Sequence, residues 1–403
     1  MTTAKPTTAQ PTALRAAIVG CGIIGLNHAR AIARVDGIDV AVLVDPFVDA
    51  AERLAGVVVE ELGAPRPAVF ADLDDALARS RPDVVVICTP SGMHVEQAAA
   101  SLDAGAHVVI EKPLDVDLAR ARRIQELADG AERSGTLVSV ISQHRFDPAS
   151  VAVAQAVRSG GLGRITSAVA SVAWWRSQAY YDSGQWRGTW ELDGGGALMN
   201  QGVHTVDLLL WFLGRPVEVS AQTARLAHER IEVEDVAVAT VRFESGALAV
   251  LHATTAAYPG TGVRLSVLGS LGSAIIQDDQ LEYLHAWVET DVADGNASQN
   301  QAAEILGPGD LVGTPKPADA FVIGHARQYV DIVSSIRDGA APGVRVADAV
   351  TALAVVRSVY LSARLGRPIR VDEVLAGAFD ETPIALDPGE HHQIRHENTG
   401  AAA

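Results

Sequence analysis

Residues 16–29 read AAIVGCGIIGLNHA: a short β-branched run, the turn Gly20-Cys21-Gly22-Ile23-Ile24-Gly25, and the opening of an amphipathic stretch through His28 and Ala29. A Gly-x-Gly-x-x-Gly between strand and helix allows a tight turn, a close backbone approach to a pyrophosphate, and tight packing of helix on strand. The helix N-terminus then presents free N–H groups to phosphate oxygens. The plain alternative is a glycine-rich turn that binds nothing. The next strand separates the two readings, because VAVLVD ends in Asp45, placed where a carboxylate accepts hydrogen bonds from adenosine ribose hydroxyls. Gly20, Gly22, Ile23, Ile24, Gly25 and Asp45 are therefore candidate dinucleotide contacts. A carboxylate at Asp45 repels a 2′-phosphate and Pro46-Phe47 offer no cation, so NAD is expected over NADP, with Arg66 or another distant cation as the counter-case.

Working outward, the runs AAIVG, VAVLVD, VVVICT, HVVIE and TLVSVIS alternate with longer amphipathic stretches. That rhythm predicts a Rossmann-type, doubly wound α/β domain with a parallel sheet over residues 15–142. Two of its strands end VVVICTPSGMH and HVVIEKP. Strand C-termini face the ligand crevice of such a sheet, which places Thr89, Pro90, His94, Glu111 and Lys112 beside the cofactor. Taken alone, Glu111-Lys112 reads as a solvated ion pair and His94 as a satisfied helix-start residue.

Beyond Arg145 the pattern shifts to RITSAVASVAW, EDVAVATVRFESGALAVLHATT and GVRLSVLGSLGSAIIQ, alternating segments with Glu-Ser-Gly and Ser-Leu-Gly turns. These predict a C-terminal α+β domain over 143–375 with an open, mainly antiparallel sheet. The Gly/Pro/Asn/Gln-rich stretch 294–319 reads as an irregular connection. Helices are expected over 319–337 and 347–364, the second returning to brace the first domain. Residues 1–14 and 376–403 read as a flexible leader and tail.

With 403 residues, 48% apolar and 20% charged, the chain can bury a large core. Its net charge of −17 argues against nucleic acid or an anionic membrane as partner. Cys21 and Cys88 cannot build a disulfide framework or a Cys-rich metal cluster. No uninterrupted apolar run reaches the roughly 18 residues of a membrane span, and the leader lacks an apolar signal core, so a cytoplasmic protein is expected.

In the second half, Gly194-Gly195-Gly196-Ala-Leu-Met-Asn200-Gln201-Gly202-Val-His204-Thr-Val-Asp207 puts Asn200, His204 and Asp207 at i, i+4 and i+7, on one face of a helix. The bland reading is a histidine satisfied in a domain interface. Upstream, Trp174, Arg176, Tyr181, Trp186 and Arg187 gather aromatic groups that can stack on sugar faces and cations that can grip oxygens; sheet-face packing is the equal alternative. Arg145 joins them as a candidate substrate contact. His391, His392 and His396 could chelate a metal, but no rigid element is predicted to hold them, and no metal is expected.

The glycine turn, Asp45, Thr89-Pro90 with His94, and Glu111-Lys112-Pro113, in this order, resemble the Gfo/Idh/MocA family of nicotinamide-dependent oxidoreductases, from about Arg15 to Val371. The resemblance implies that Lys112 sits beside nicotinamide and substrate and that Pro113 follows a cis peptide. It also implies that 194–207 is the substrate-site helix. Many members carry Asp where this chain has Asn200, and an amide is no general base. The Met-Asn-Gln run resembles a subgroup of nucleotide-sugar 3-dehydrogenases, so proton handling falls to Lys112 and His204, with Asn200 orienting a hydroxyl. The implied activity is oxidation or reduction of a sugar, sugar derivative or cyclitol, including nucleotide sugars, by a homodimer or homotetramer. An NAD-dependent glycosidase and a non-catalytic sugar-sensing regulator are the competing readings.

Overall fold

The computed structural model describes residues 13–184, 186–287 and 299–385. Most of the leader and the tail histidines 391, 392 and 396 lie outside the described residues. Six strands, β1 (Leu14–Val19), β2 (Ile38–Val44), β3 (Ala68–Phe70), β4 (Val84–Ile87), β5 (His107–Ile110) and β6 (Val138–Val140), form a parallel sheet in the order β3-β2-β1-β4-β5-β6. They are connected through α1 (Ile23–Ile32), α2 (Val48–Glu60), α3 (Leu73–Ser80), α4 (His94–Asp103) and α5 (Leu118–Glu132). Ala16–Val19, Val84–Ile87 and Val108–Ile110 are buried throughout. Burial on both faces is why these strands are continuously apolar instead of alternating. The short edge strand β3 has no counterpart among the sequence runs, because three residues carry too little pattern. Strand order reverses between β1 and β4, which opens a crevice at their C-terminal ends.

The second half contributes α6 (Pro148–Arg158), β7 (Ile165–Ala173), α7 (Gln178–Asp182), α8 (Val203–Leu213), β8 (Pro216–Ala224), β9 (Val236–Phe243) and β10 (Leu248–Thr254). It continues with β11 (Gly262–Gly269), β12 (Ser273–Gln277), β13 (Gln280–His285), α9 (Ala302–Ile305), α10 (Ala320–Asp338), α11 (Val346–Leu365), β14 (Ile369–Arg370) and α12 (Val371–Leu375). The strands make one sheet, β13-β12-β11-β7-β10-β9-β8-β14, antiparallel among the described residues except for the β7/β10 pair. Burial alternates along β9 and β10. One face carries Ala168, Ala170, Ala237, Ala239 and Ala249, small enough for α8 and α11 to lie close. The other leaves Val169, Val238, Leu248 and Val250 exposed.

The two halves are bound together by the last long helices. Helix α10 packs on α1 and on the 3-10 turn Gln143–Phe146, while α11 lies against β8, α8 and α5. By length and composition α11 could cross a membrane, which corrects the expectation that no segment is apolar enough. Asp348, Arg357 and scattered hydroxyls interrupt its apolar run, so counting uninterrupted residues overlooks it. Its apolar side chains are buried in the protein interior, the ordinary state of a core helix. The first part of the expected flexible tail is also docked: Arg122 pairs with Asp380, and Arg357 Nη2 donates to the carbonyls of Phe379 (2.8 Å) and Asp380 (3.1 Å).

Candidate active site

The glycine turn sits at the C-terminal end of β1. A Cβ on Gly25 would lie 2.2 Å from the Gly20 carbonyl oxygen, so only glycine lets α1 approach the turn this closely. Gly22, in contrast, has open space where a Cβ would stand, and Ile23 is exposed. Helix α1 begins at Ile23 with no capping side chain, so the N–H groups of its first turn are available to an anion. Asp45 closes the turn from β2, accepting from Cys21 N–H at 2.8 Å and Phe47 N–H at 2.9 Å. These residues form a cradle that fits a dinucleotide pyrophosphate and ribose. Arg66, the cation that could have favoured a 2′-phosphate, is paired with Glu52.

Lys112 follows β5 at a cis Lys112–Pro113 peptide and enters a cavity of about 760 Å³. Asn200 and His204 line the same cavity. The helix that carries them begins with a turn of π-helix, Leu198–Gly202, before α8. His204 and Asp207 both follow that turn, in regular α8, where three residues differ by about 60° around the axis, so the expected single polar face divides. Asn200 and His204 face the cavity, while Asp207 is buried and accepts from Arg145 Nε at 2.7 Å and from the Ser142 hydroxyl. The amide of Asn200 donates to the Gly195 carbonyl at 3.0 Å and lies in hydrogen-bond reach of Asp193, which leaves Oδ1 without a partner among the described residues. His204 makes no hydrogen bond within the described residues. Burial pushes its pKa well below the ordinary value, and the charges of Lys112 and His144 push the same way. The imidazole is therefore neutral throughout the physiological range.

Glu234 fixes this helix from the segment just before β9. Its Oε2 accepts from Gly196 N–H and its Oε1 from Leu198 N–H, each at 2.9 Å, and the Tyr360 hydroxyl adds a bond at 3.1 Å. Burial raises its carboxyl to about 7 despite these donors. Gly196 permits the approach, since a Cβ there would lie 1.8 Å from the Glu234 carbonyl oxygen.

Several candidate residues have structural partners instead of a place in the cavity. Arg145 is a correction: it is 5% exposed and occupied by Asp207 and Asp348. His94 is buried with its nitrogens on the carbonyls of Leu114 (2.9 Å) and Thr89 (3.0 Å), so it ties two loops together. Glu111 is no solvated ion pair with Lys112; its Oε1 accepts from His28 Nε2 at 2.9 Å and lies 3.4 Å from His325 Nε2. Burial opposes its ionisation, yet the two histidines outweigh that and hold its pKa well below the carboxylate range. Tyr181 is buried with its hydroxyl on Thr255 at 2.8 Å. Trp174, Arg176 and Trp186 line the cavity, whereas Arg187 stacks over Tyr180 and Trp186 at 4.3 Å from each ring centroid.

A second imidazole, absent from the sequence expectations, joins the site. The His144 ring meets His204 edge-on, with centroids 5.0 Å apart. Its Nδ1 lies 2.8 Å from Asp147 and 3.1 Å from Asp279, and these acids also hold Arg327 (3.0 Å) and Lys316 (2.6 Å). Burial disfavours charge on His144, but the two carboxylates prevail and lift its pKa to about 10. The adjacency of His144 and Asp147 was a visible signal; the return of Asp279, Lys316 and Arg327 to them was not.

Two family models cover most of the described chain: "Oxidoreductase family, NAD-binding Rossmann fold" over residues 14–141 and "GFO/IDH/MocA C-terminal domain" over 150–275. The chain belongs to the GFO/IDH/MocA family. It is an NAD-binding oxidoreductase. Inositol 2-dehydrogenase of Mycolicibacterium gilvum is 31% identical across 66% of this chain and 71% of that protein. D-apiose dehydrogenase of Paraburkholderia graminis is 25% identical across 90% and 91%. Among solved structures, the WlbA dehydrogenase of Bordetella pertussis, crystallised with NADH and UDP-GlcNAcA, is 31% identical with a TM-score of 0.73, covering 91% of this chain and 99% of that one.

Proposed function

We propose that this family member oxidises or reduces a secondary alcohol or ketone on a sugar, sugar derivative or cyclitol. The observation that carries the reading is the meeting of Lys112, from the nucleotide-binding sheet, with His204 and Asn200, from the helix between β7 and β8, in one cavity. The relatives named above are dehydrogenases of such substrates, and neither the glycosidase nor the regulator reading is favoured.

The glycine turn, the first turn of α1 and Asp45 would hold NAD, with Thr89 and Pro90 at the neighbouring strand end. When bound, the nicotinamide supplies the hydride acceptor or donor. The chain must manage the proton. Lys112 and His204 handle it together at the reacting oxygen; neutral His204, unbonded among the described residues, accepts a hydrogen bond from the substrate hydroxyl. Asn200 Oδ1 receives a second hydroxyl and orients the ring. The exposed face of the second sheet, with Val169, Val238 and Val250, supports our reading of a homodimer or homotetramer, and we place the enzyme in the cytoplasm.

The test is turnover across cyclitols, free aldoses and nucleotide sugars with NAD and with NADP. Net NADH formation from one of these classes is expected, with His204→Ala lowering kcat about 100-fold and leaving NADH affinity within threefold. No net change in NADH with any of them would overturn the reading.

A further inference from the structure

Four lysines and arginines line the cavity: Lys112, Arg176, Lys316 and Arg327. Lys316 and Arg327 are neutralised by Asp279 and Asp147. Lys112 belongs to the chemistry proposed above. Arg176 is different from all three. Its guanidinium has no carboxylate or hydrogen-bond partner among the described residues, and its Nε is buried without an acceptor. In a chain with 49 acidic residues to 32 basic ones, a carboxylate partner is easily supplied, and this position lacks one.

The guanidinium is nonetheless held in place. Its Cζ lies 5.1 Å from the centroid of Trp174 and 5.0 Å from that of Tyr180. Arg187 stacks on Tyr180 as well. The backbone of Arg176 is pinned on both sides, its N–H donating to the Thr255 carbonyl at 2.9 Å and its own carbonyl accepting from His228 Nε2 at 2.7 Å. Aromatic faces fix the plane of a guanidinium without cancelling its charge or using its N–H donors. A rigid fork of unused donors beside a ligand-sized cavity matches a planar carboxylate or a phosphate oxygen pair.

We propose that Arg176, caged by Trp174 and Tyr180, is an anion-binding subsite, so that the substrate is a sugar or cyclitol bearing a carboxylate or phosphate group. This rests on the dehydrogenase reading above and narrows its substrate class. Arg176 binds the anion and takes no part in proton transfer.

The experiment compares kcat/KM with NAD for substrates that differ by one anionic group: D-glucose against D-glucuronate for a carboxylate, and D-glucose against D-glucose 6-phosphate or UDP-glucose for phosphate. Wild type, Arg176→Leu and Arg176→Lys are measured together, with NADH fluorescence reporting that each variant is folded. If Arg176→Leu fails to bind NADH, Arg176→Gln replaces it. Wild type is expected to favour one anionic substrate at least about tenfold, chiefly through KM, with the ratio collapsing in Arg176→Leu and partly returning in Arg176→Lys. The pair that shows the preference identifies carboxylate or phosphate as its source. Equal kcat/KM within every pair, or a preference that survives in Arg176→Leu, would overturn the anion subsite and leave the dehydrogenase reading standing. Absence of turnover with these sugars and with neutral cyclitols would count against the dehydrogenase reading itself.

Discussion

The two sides of the active site are built by different rules. On the nucleotide side, the glycine turn, Thr89 and Lys112 stand at the ends of the neighbouring strands β1, β4 and β5, so the parallel sheet alone decides where they point. On the other side, His144 follows β6, His204 lies on α8, Asp279 at the β12–β13 turn, Lys316 in a loop and Arg327 on α10. Nothing local brings these five together; ion pairs through Asp147 and Asp279 join His144, Lys316 and Arg327, and His204 meets this network only through its edge-on contact with the His144 ring. A wall set by strand order tolerates little backbone change but allows side chains to be exchanged. A wall held by reciprocal ion pairs accommodates backbone variation and is sensitive to each charge.

The comparison predicts its largest effect at Lys112. Lys112→Met removes the group without disturbing β5, so kcat should fall by about a thousandfold or more while NADH affinity stays within threefold. A kcat above a tenth of the wild-type value would take Lys112 out of proton handling. The complementary change acts on backbone. Gly25→Ala drives a Cβ to 2.2 Å from the Gly20 carbonyl oxygen and must separate α1 from its turn. NADH binding, measured by fluorescence titration, should weaken about 100-fold or more, the reverse of the Lys112→Met pattern.

The same contrast explains what the sequence could disclose. The parallel sheet was legible because strands buried on both faces are apolar at every position, and because a glycine turn is a local motif. Motifs locate residues but do not name their partners. Hence His94 and Glu111 stand at the predicted strand ends but are bonded inward, to Thr89 and Leu114 and to His28. Arg145 is spent on Asp207 for the same reason. The π turn Leu198–Gly202 leaves no mark in hydrophobic spacing. The network around His144 depends on contacts between segments more than a hundred residues apart, which periodicity cannot report.

A smaller effect is expected where the second wall is fixed to its scaffold. Glu234→Gln sets an amide NH2 against either Gly196 N–H or Leu198 N–H, both of which donate to the carboxylate. Leaving one buried N–H without an acceptor should cost about 1–3 kcal/mol in urea unfolding. Because this carboxylate holds the turn before Asn200, kcat should fall with the stability loss while NADH affinity is unchanged. Unaltered stability would mean that the donors find other acceptors.

The last predicted effect concerns pH and belongs to His144. Its pKa is raised in the folded protein to about 10, above the roughly 6.5 of an unfolded chain. A raised histidine pKa means that the folded state binds the proton more tightly. The associated stability is therefore complete below about pH 6.5 and is lost as pH rises toward 10. His144→Asn removes this linkage while Lys316 and Arg327 still face Asp279 and Asp147. Between pH 7 and 9.5 wild type should lose stability relative to His144→Asn, read as the difference in unfolding midpoint at each pH. The variant also removes one of the charges that depress His204, so the His204 resonance should titrate at higher pH in His144→Asn than in wild type. Parallel stability curves would mean that Asp147 and Asp279 are satisfied by Arg327 and Lys316 alone. The charge-held wall would then stand without its central imidazolium.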